Sequence, residues 1–147
     1  RLDIVTVMKC PLNLSGLTTL TRLTTRYTQG TLFPTSLIGC RVELWSSADF
    51  SSLTNLVWLS VSMKVDVRVT FPTGLKALTI DEGDLTNTNV AEVALESFES
   101  PSGRWITRKE LKRLPKTLKR IYGQFHRMVL KESLHEMFPL LCVVGQR

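Results

Sequence analysis

The sequence repeats a short pattern of leucines, and this repeat restricts the possible folds more than any other feature of the chain. The clearest copy is Leu56-Val57-Trp58-Leu59-Ser60-Val61, which is apolar at its first, fourth and sixth places. Leucines three residues apart are typical of a helix, whereas valine and tryptophan favour a strand. A pattern that recurs along the chain resolves this conflict, because stacked copies bury a face that no single copy can bury alone.

Seven other segments fit the same template, each with leucine at the first place and an apolar residue at the fourth. Their first, fourth and sixth residues are Leu2-Val5-Val7, Leu20-Leu23-Thr25, Leu37-Cys40-Val42, Leu75-Leu78-Ile80, Leu95-Phe98-Ser100, Leu118-Ile121-Gly123 and Leu140-Val143-Gly145. Successive first leucines lie 17 to 23 residues apart. The pattern therefore predicts a repeat that covers the chain from Leu2 to Gly145.

The template resembles the L-x-x-L-x-L core of the leucine-rich repeat family. The resemblance implies an α/β repeat solenoid, a curved horseshoe with a parallel β-sheet on its concave face and turns or short helices on its convex face. The fourth and sixth places would point inward from each strand, because neighbouring strand residues face opposite ways. Family members carry Asn or Cys at the ninth place, where this chain carries residues such as Trp45 and Lys64. We therefore expect one divergent domain of about eight repeats over residues 1–147, as a fragment of a longer chain.

The segments between the predicted strands carry signals for turns and short helices. Three units enter through proline, at Pro34, Pro72 and Pro115, and two enter through Leu-Thr-x-Leu. Asn and Thr at residues 87–89 predict a cap for a helix over 90–95. Thr107 and Glu110 form a capping-box pattern for a helix that ends at Leu114. Residues 126–138 have an amphipathic pattern, and residues 100–103 are typical of an exposed loop.

The outward places of the strands form the predicted partner-binding face. Leucine-rich repeat proteins use this strand face for binding, and Trp, Tyr and Arg dominate interface hot spots. The residues read off for it are Arg22, Thr24 and Arg26, then Gly39, Arg41 and Glu43, then Trp58, Ser60 and Ser62, then Ala77, Thr79 and Asp81, then Ser97, Glu99 and Pro101, then Arg120, Tyr122 and Gln124, then Cys142, Val144 and Gln146. Those chosen as the site are Arg22, Arg26, Arg41, Glu43, Trp58, Asp81, Glu99, Arg120 and Tyr122. We expect a protein partner with complementary charges, because the arginines come early and the carboxylates later.

Charge is distributed unevenly, and this supports a second interpretation. Residues 1–100 hold 8 basic and 10 acidic side chains, whereas residues 101–147 hold 11 basic and 3 acidic. Such asymmetry is typical of proteins that bind nucleic acid or an anionic surface. It is equally typical of the solvated face of an amphipathic helix. The residues that would bind are Arg104, Arg108, Lys109, Lys112, Arg113, Lys116, Lys119, Arg120 and Arg127.

The sequence contains no motif for catalysis, metal binding or a cofactor. His126, His135 and Cys142 do not form a recognisable thiol catalytic set, and Cys10, Cys40 and Cys142 lack zinc-ligand spacing. We expect a non-enzymatic protein with no cofactor, no metal and no membrane span, and with reduced cysteines packed in a cytoplasmic protein. The first and last repeats have no polar capping unit, so we also expect self-association through the solenoid ends.

Overall fold

The computed structural model, which describes residues 2–3, 11–27, 29–64, 66–125 and 131–145, is a parallel-strand β-solenoid of about six turns with few helices. The strands in chain order are β1 Leu2–Asp3, β2 Arg22–Tyr27, β3 Gly39–Leu44, β4 Ala48–Asp49, β5 Trp58–Met63, β6 Val69–Thr70, β7 Ala77–Glu82, β8 Ser97–Ile106, β9 Arg120–Phe125 and β10 Val143–Gly145. Strands β4 and β6 pair with each other in a small second sheet. The other eight form the main sheet in chain order, and every pair in it is parallel.

The six central copies of the repeat have the predicted register. Their fourth places lie opposite one another across the main sheet and are all buried, in the order Leu23, Cys40, Leu59, Leu78, Phe98 and Ile121. Their first-place leucines are buried as well, from Leu20 to Leu118. The core therefore consists of rows of equivalent side chains, and each unit covers the apolar face of the next.

The two styles of entry into a strand form the same turn. The first-place N–H of Leu37 donates to the carbonyl oxygen of Pro34, and that of Leu56 donates to Leu53. Leu20, Leu75 and Leu118 repeat this bond with the residue three positions earlier. Proline is suited to this place because the turn uses its carbonyl group and not the N–H that it lacks.

The residue before the first leucine links neighbouring turns, a role that the sequence pattern does not reveal. Ser36 Oγ donates to the carbonyl oxygen of Leu20 at 2.7 Å, and Thr117 Oγ1 donates to that of Leu95 at 2.7 Å. Asn55 Nδ2 donates to the carbonyl oxygen of Thr35 at 3.0 Å. These bonds give hydrogen-bond partners to carbonyl groups in the entry turns, which precede the paired part of each strand.

The predicted register is wrong at both ends of the solenoid. Leu2 pairs with Leu23, so it occupies a fourth place and not a first place; Val5 and Val7 lie outside the described residues. At the other end Val144 pairs with Ile121, which moves the last copy by one residue. Its first place is Leu141, which is 5% exposed and donates its N–H to Phe138, whereas Leu140 is 53% exposed. Two adjacent leucines fit the template equally well, and only packing against the preceding turn distinguishes them.

Two irregularities move outward side chains away from their predicted places. In β7 a bulge pairs Ser62 with Glu82, so Asp81 is displaced from the seventh place. In β8 the ladder is interrupted between Ser100 and Trp105, and Trp105 takes the place opposite Gln124 that was predicted for Pro101. The predicted exposed loop over 100–103 is therefore wrong, because these residues belong to β8. Ser100 is buried, although Pro101 is exposed.

The helices are shorter than the sequence predicts. The helix expected over 90–95 is only a 3₁₀ turn, Val90–Glu92, because Asn89 bonds both the N–H and the carbonyl of Phe71 and does not cap the helix. The predicted capping box at Thr107 is confirmed, but its helix, α1 Arg108–Leu111, ends before Leu114. The amphipathic helix is present as α2 Lys131–Met137, with Leu134 and Phe138 buried. Residues 126–130 of that prediction lie outside the described residues.

Candidate functional site

The outward side of the main sheet, called the open face below, carries the nine predicted site residues on strands β2 to β9. Side chains in equivalent places form rows that run across the strands, because the register is parallel. The third-place row is Arg22, Gly39, Trp58, Ala77, Ser97 and Arg120, and the fifth-place row is Thr24, Arg41, Ser60, Thr79, Glu99 and Tyr122. The structure therefore brings Arg22, Arg26, Arg41, Glu43 and Trp58 together on three adjacent strands.

Trp58 lies on the open face with its ring directed over the adjacent strand. A Cβ atom added to Gly39 would lie 3.0 Å from Trp58 Cε3 and 3.8 Å from Arg22 Cγ. The indole ring and the stem of Arg22 therefore both lean over the backbone of Gly39. Trp58 is still 38% exposed, so the ring lies against β3 on one side and remains accessible.

Two exposed aliphatic residues lie at the strand entries next to Trp58, and the predicted face did not include them. Ile38 is 49% exposed and Val57 is 43% exposed, and the N–H groups of Val57 and Trp58 both donate to the Ile38 carbonyl oxygen. Both occupy the second place of the repeat, directly before the strand begins. Other second places hold polar residues such as Lys76, Glu96 and Lys119. Apolar residues at these two neighbouring second places were a signal that sequence reasoning could have used.

Arg41 is held by a short polar chain that crosses three strands. Its Nε donates to Ser60 Oγ at 3.4 Å, and Ser60 Oγ donates to Asp81 Oδ2 at 3.2 Å. Ser60 has no exposed surface, whereas Arg41 is exposed. The displaced Asp81 therefore still contributes to the open face by orienting the serine that contacts Arg41.

Arg26 differs from its two neighbours because it has an ionic partner. Its Nε lies 3.4 Å from Glu43 Oε1, and the same oxygen accepts a 2.6 Å hydrogen bond from Trp45 Nε1. Within the described parts of the chain, Arg22 and Arg41 have no carboxylate within ion-pair distance. Glu43 therefore neutralises one of the three clustered arginines, and the other two keep their charge available.

The remaining site residues lie farther along the sheet and do not join this cluster. Arg120 is exposed on β9, while Glu99 and Tyr122 are half-buried neighbours in the fifth-place row. The Tyr122 ring lies directly over Gly145 of β10, where an added Cβ atom would collide with it. The corrected end register removes Cys142 and Val144 from the predicted face and puts Val143 and Gly145 there; Gln146 lies outside the described residues.

The basic segment surrounds α1. Arg108, Lys109, Lys112, Lys116 and Lys119 are exposed, and Lys119 lies 3.0 Å from Glu96. Arg113 is half-buried and donates through Nη1 to the carbonyl oxygen of Thr86. Glu110 is buried, and its carboxylate accepts from the N–H and the hydroxyl of Thr107. Arg127 and the side chain of Arg104 lie outside the described part of the structure.

The two described cysteines lie in different environments. Cys40 is buried in the fourth-place row, and burial raises the pKa of its thiol to about 12, so the unreactive protonated form predominates. Cys142 is exposed, which contradicts the packed role predicted for it, and Cys10 lies outside the described residues. In the described ranges, no group of three or more His, Cys, Asp and Glu side chains is placed to bind a metal ion.

The described helices are all too short or too polar to cross a membrane. The structure thus defines a repeat protein of the parallel-strand solenoid class, with an apolar and basic cluster at one end of its open face. Comparisons of the chain with protein-family models, curated proteins and solved structures found no match.

Proposed function

We propose that this chain is a non-enzymatic protein-recognition module that binds a partner protein on its open face. The observation that carries the proposal is Trp58, a large aromatic side chain that is 38% exposed yet packed against Gly39. A ring that is already held in one position loses little conformational entropy on binding, which favours its use as an anchor. The exposed Val57 and Ile38 beside it add apolar area, and Arg22 and Arg41 add charge at the rim of that area.

The experiment that tests this function compares partner capture by two tryptophan variants. Immobilised wild-type chain, Trp58→Ala and Trp45→Ala are each incubated with native extract, and the captured proteins are identified by mass spectrometry. Trp45 is a suitable control because it is 52% exposed but lies beyond the end of β3. A partner retained by Trp45→Ala and lost by Trp58→Ala supports the proposal, and capture that is insensitive to Trp58 contradicts it.

A second function, binding to nucleic acid or another anionic surface through the basic segment, is supported by the environment of Glu110. Its carboxylate is buried, whereas Arg108, Lys109 and Lys112 around it are exposed and available to an anionic ligand. Such binding is electrostatic and weakens steeply with salt. Reversal of Lys109, Lys112 and Lys116 to Glu should abolish retention on heparin, and unchanged retention would exclude this function.

We also propose that the solenoid is a divergent leucine-rich-repeat horseshoe, with the open face on its concave side. Support comes from leucine at the first place and an inward apolar residue at the fourth place of six consecutive units. A crystal structure tests the shape, because a main sheet that is flat or curved the other way would contradict it.

We further propose that copies of the chain self-associate through the outer edges of β1 and β10, the two end strands of the main sheet. Sedimentation at high protein concentration tests this proposal, and a monomer there would contradict it.

A further inference from the structure

The third- and fifth-place rows at the β2–β5 end of the open face place positive charge directly beside an apolar floor. The Trp58 ring forms the floor, and the Arg22 stem borders it across Gly39. The exposed Ile38 and Val57 directly precede Gly39 and Trp58, at the entries of β3 and β5. Arg41 lies on the strand next to Trp58, one outward place farther along. Arg22 and Arg41 also lie on adjacent strands and are displaced by one outward place. Cα atoms in this arrangement are roughly 8 Å apart in a parallel sheet.

The two arginines have different degrees of restraint. Arg41 is oriented through Nε by Ser60, which in turn is oriented by Asp81, so its terminal nitrogens are the donors that stay accessible. Among the residues that the structure describes, Arg22 has no hydrogen-bond or ion-pair partner for its side chain, and only its stem packs, against Gly39. A guanidinium group that is oriented through Nε can present its two terminal nitrogens to a carboxylate and donate two parallel hydrogen bonds to it.

We propose that the cluster binds an acidic peptide segment that carries a bulky apolar side chain next to its carboxylates. This inference rests on the proposed protein-recognition function and specifies the partner's chemistry. The apolar side chain packs on Ile38, Val57 and Trp58, while the flanking carboxylates bind Arg41 and Arg22. The Glu43 carboxylate next to Arg26 marks the limit of the positive area, so the acidic stretch is short.

The same geometry disfavours a nucleic acid at this place. A phosphate chain that continued past Trp58 along the open face would meet Asp81 and Glu99 on β7 and β8. Single-stranded nucleic acid binds by stacking successive bases on several aromatic rings, and Trp58 is one ring whose exposed neighbours Ile38 and Val57 are branched aliphatic residues. A short peptide avoids the downstream carboxylates and needs only one ring for its apolar side chain.

The experiment selects peptides without assuming their sequence. A phage-displayed library of random dodecapeptides is panned against the full chain and counter-selected against Trp58→Ala. Enriched peptides are synthesised with a fluorescein label, and their dissociation constants are measured by anisotropy. The variants are Trp58→Ala, Arg41→Gln, Arg22→Gln and the conservative Arg41→Lys. The controls are Trp45→Ala and Arg68→Gln, the latter at an exposed arginine beside β6, and thermal melts confirm that every variant is folded.

We expect the enriched peptides to combine Asp or Glu with a bulky apolar residue. Trp58→Ala should weaken binding at least about thirtyfold, the effect of a hot-spot residue. Each Arg→Gln change should weaken binding about tenfold, and Arg41→Lys should lose part of the affinity because lysine cannot bind a carboxylate bidentately. The two controls should bind as the wild type does.

Three other outcomes would overturn the inference. Peptides that need Trp58 but lack acidic residues, or that ignore Arg41→Gln, would refute the acidic ligand and leave the recognition function intact. Failure to enrich any peptide that Trp58→Ala loses would refute the site as a peptide site, and the capture experiment would then decide the broader function separately. Binding of fluorescein-labelled oligothymidylate with the same dependence on Trp58 and Arg41 would assign the cluster to single-stranded nucleic acid.

Discussion

The ring of Trp58 occupies the space above Gly39 on the adjacent strand, so that an added Cβ atom would lie only 3.0 Å from Cε3. This separation is shorter than the usual contact between carbon atoms, which is about 3.5–4.0 Å. A Cβ atom at residue 39 would therefore require the indole ring to move by a few tenths of an ångström. The glycine on β3 determines how the tryptophan on β5 is presented.

Replacing Gly39 with Ala should move the Trp58 ring. We expect the Trp58 indole N–H signal to shift in a ¹H–¹⁵N correlation spectrum, while the signals of Trp45 and Trp105 stay in place. Gly16→Ala is the matched control, because a Cβ atom there would meet no atom within 4 Å. An unshifted Trp58 signal in Gly39→Ala would mean that the ring does not lie over β3.

Adjacent residues of β5 should respond differently to truncation. Leu59 is fully buried, so Leu59→Ala should lower the free energy of unfolding by about 2–5 kcal/mol. Trp58→Ala leaves no internal cavity and should cost about 1 kcal/mol. Denaturant melts of the two purified variants provide the measurement, and equal losses would show that the register of β5 is wrong.

The corrected register of the last repeat makes a similar prediction at Leu140 and Leu141. Leu141→Ala removes a side chain that is only 5% exposed and should cost about 2–5 kcal/mol. Leu140→Ala removes an exposed side chain and should change stability by about 0.5 kcal/mol or less. If the melts reverse this order, the register read directly from the sequence is correct for β10.

The Glu96 side chain should titrate below its usual range. A hydrogen bond from Lys119 and the charge of that lysine lower the pKa of Glu96 from its usual value of 4.5. The folded state therefore gains stability above the unfolded pKa, and loses it as pH falls through the lower folded pKa. NMR titration should show Glu96 below 4.5 in the wild type and closer to 4.5 in Lys119→Met. Lys112→Met, which changes an exposed lysine outside this ion pair, should leave the Glu96 titration unchanged.

The hydroxyl group of Thr117 should contribute measurably to stability through its link to the preceding turn. Thr117→Val removes the donor to the Leu95 carbonyl oxygen and should cost about 1 kcal/mol, the usual net value of such a bond. Thr54→Val serves as the control, because the exposed Thr54 side chain makes no described hydrogen bond in the structure. Chemical denaturation measures both, and equal effects would show that the turn link is energetically unimportant.

The sequence by itself determined the repeat and the inward or outward direction of most strand residues. Leu59 and Trp58 could be assigned to opposite sides because strand side chains alternate and six consecutive units share one apolar pattern. The capping box at Thr107 was also predictable, since its two hydrogen bonds are local to four residues. Such features depend only on nearby residues or on periodicity, which a single sequence contains in full.

Only the tertiary structure decided the ends, the bulges and the composition of the cluster. Choosing Leu141 over Leu140 depends on contacts with the preceding turn, and placing Trp105 in a strand depends on where β8 rejoins β9. The pairing of Arg26 with Glu43, which leaves Arg22 and Arg41 available, depends on distances between strands that lie 17 residues apart in sequence. These properties arise from contacts between distant parts of the chain, and the spacing of residue types within one repeat does not encode them.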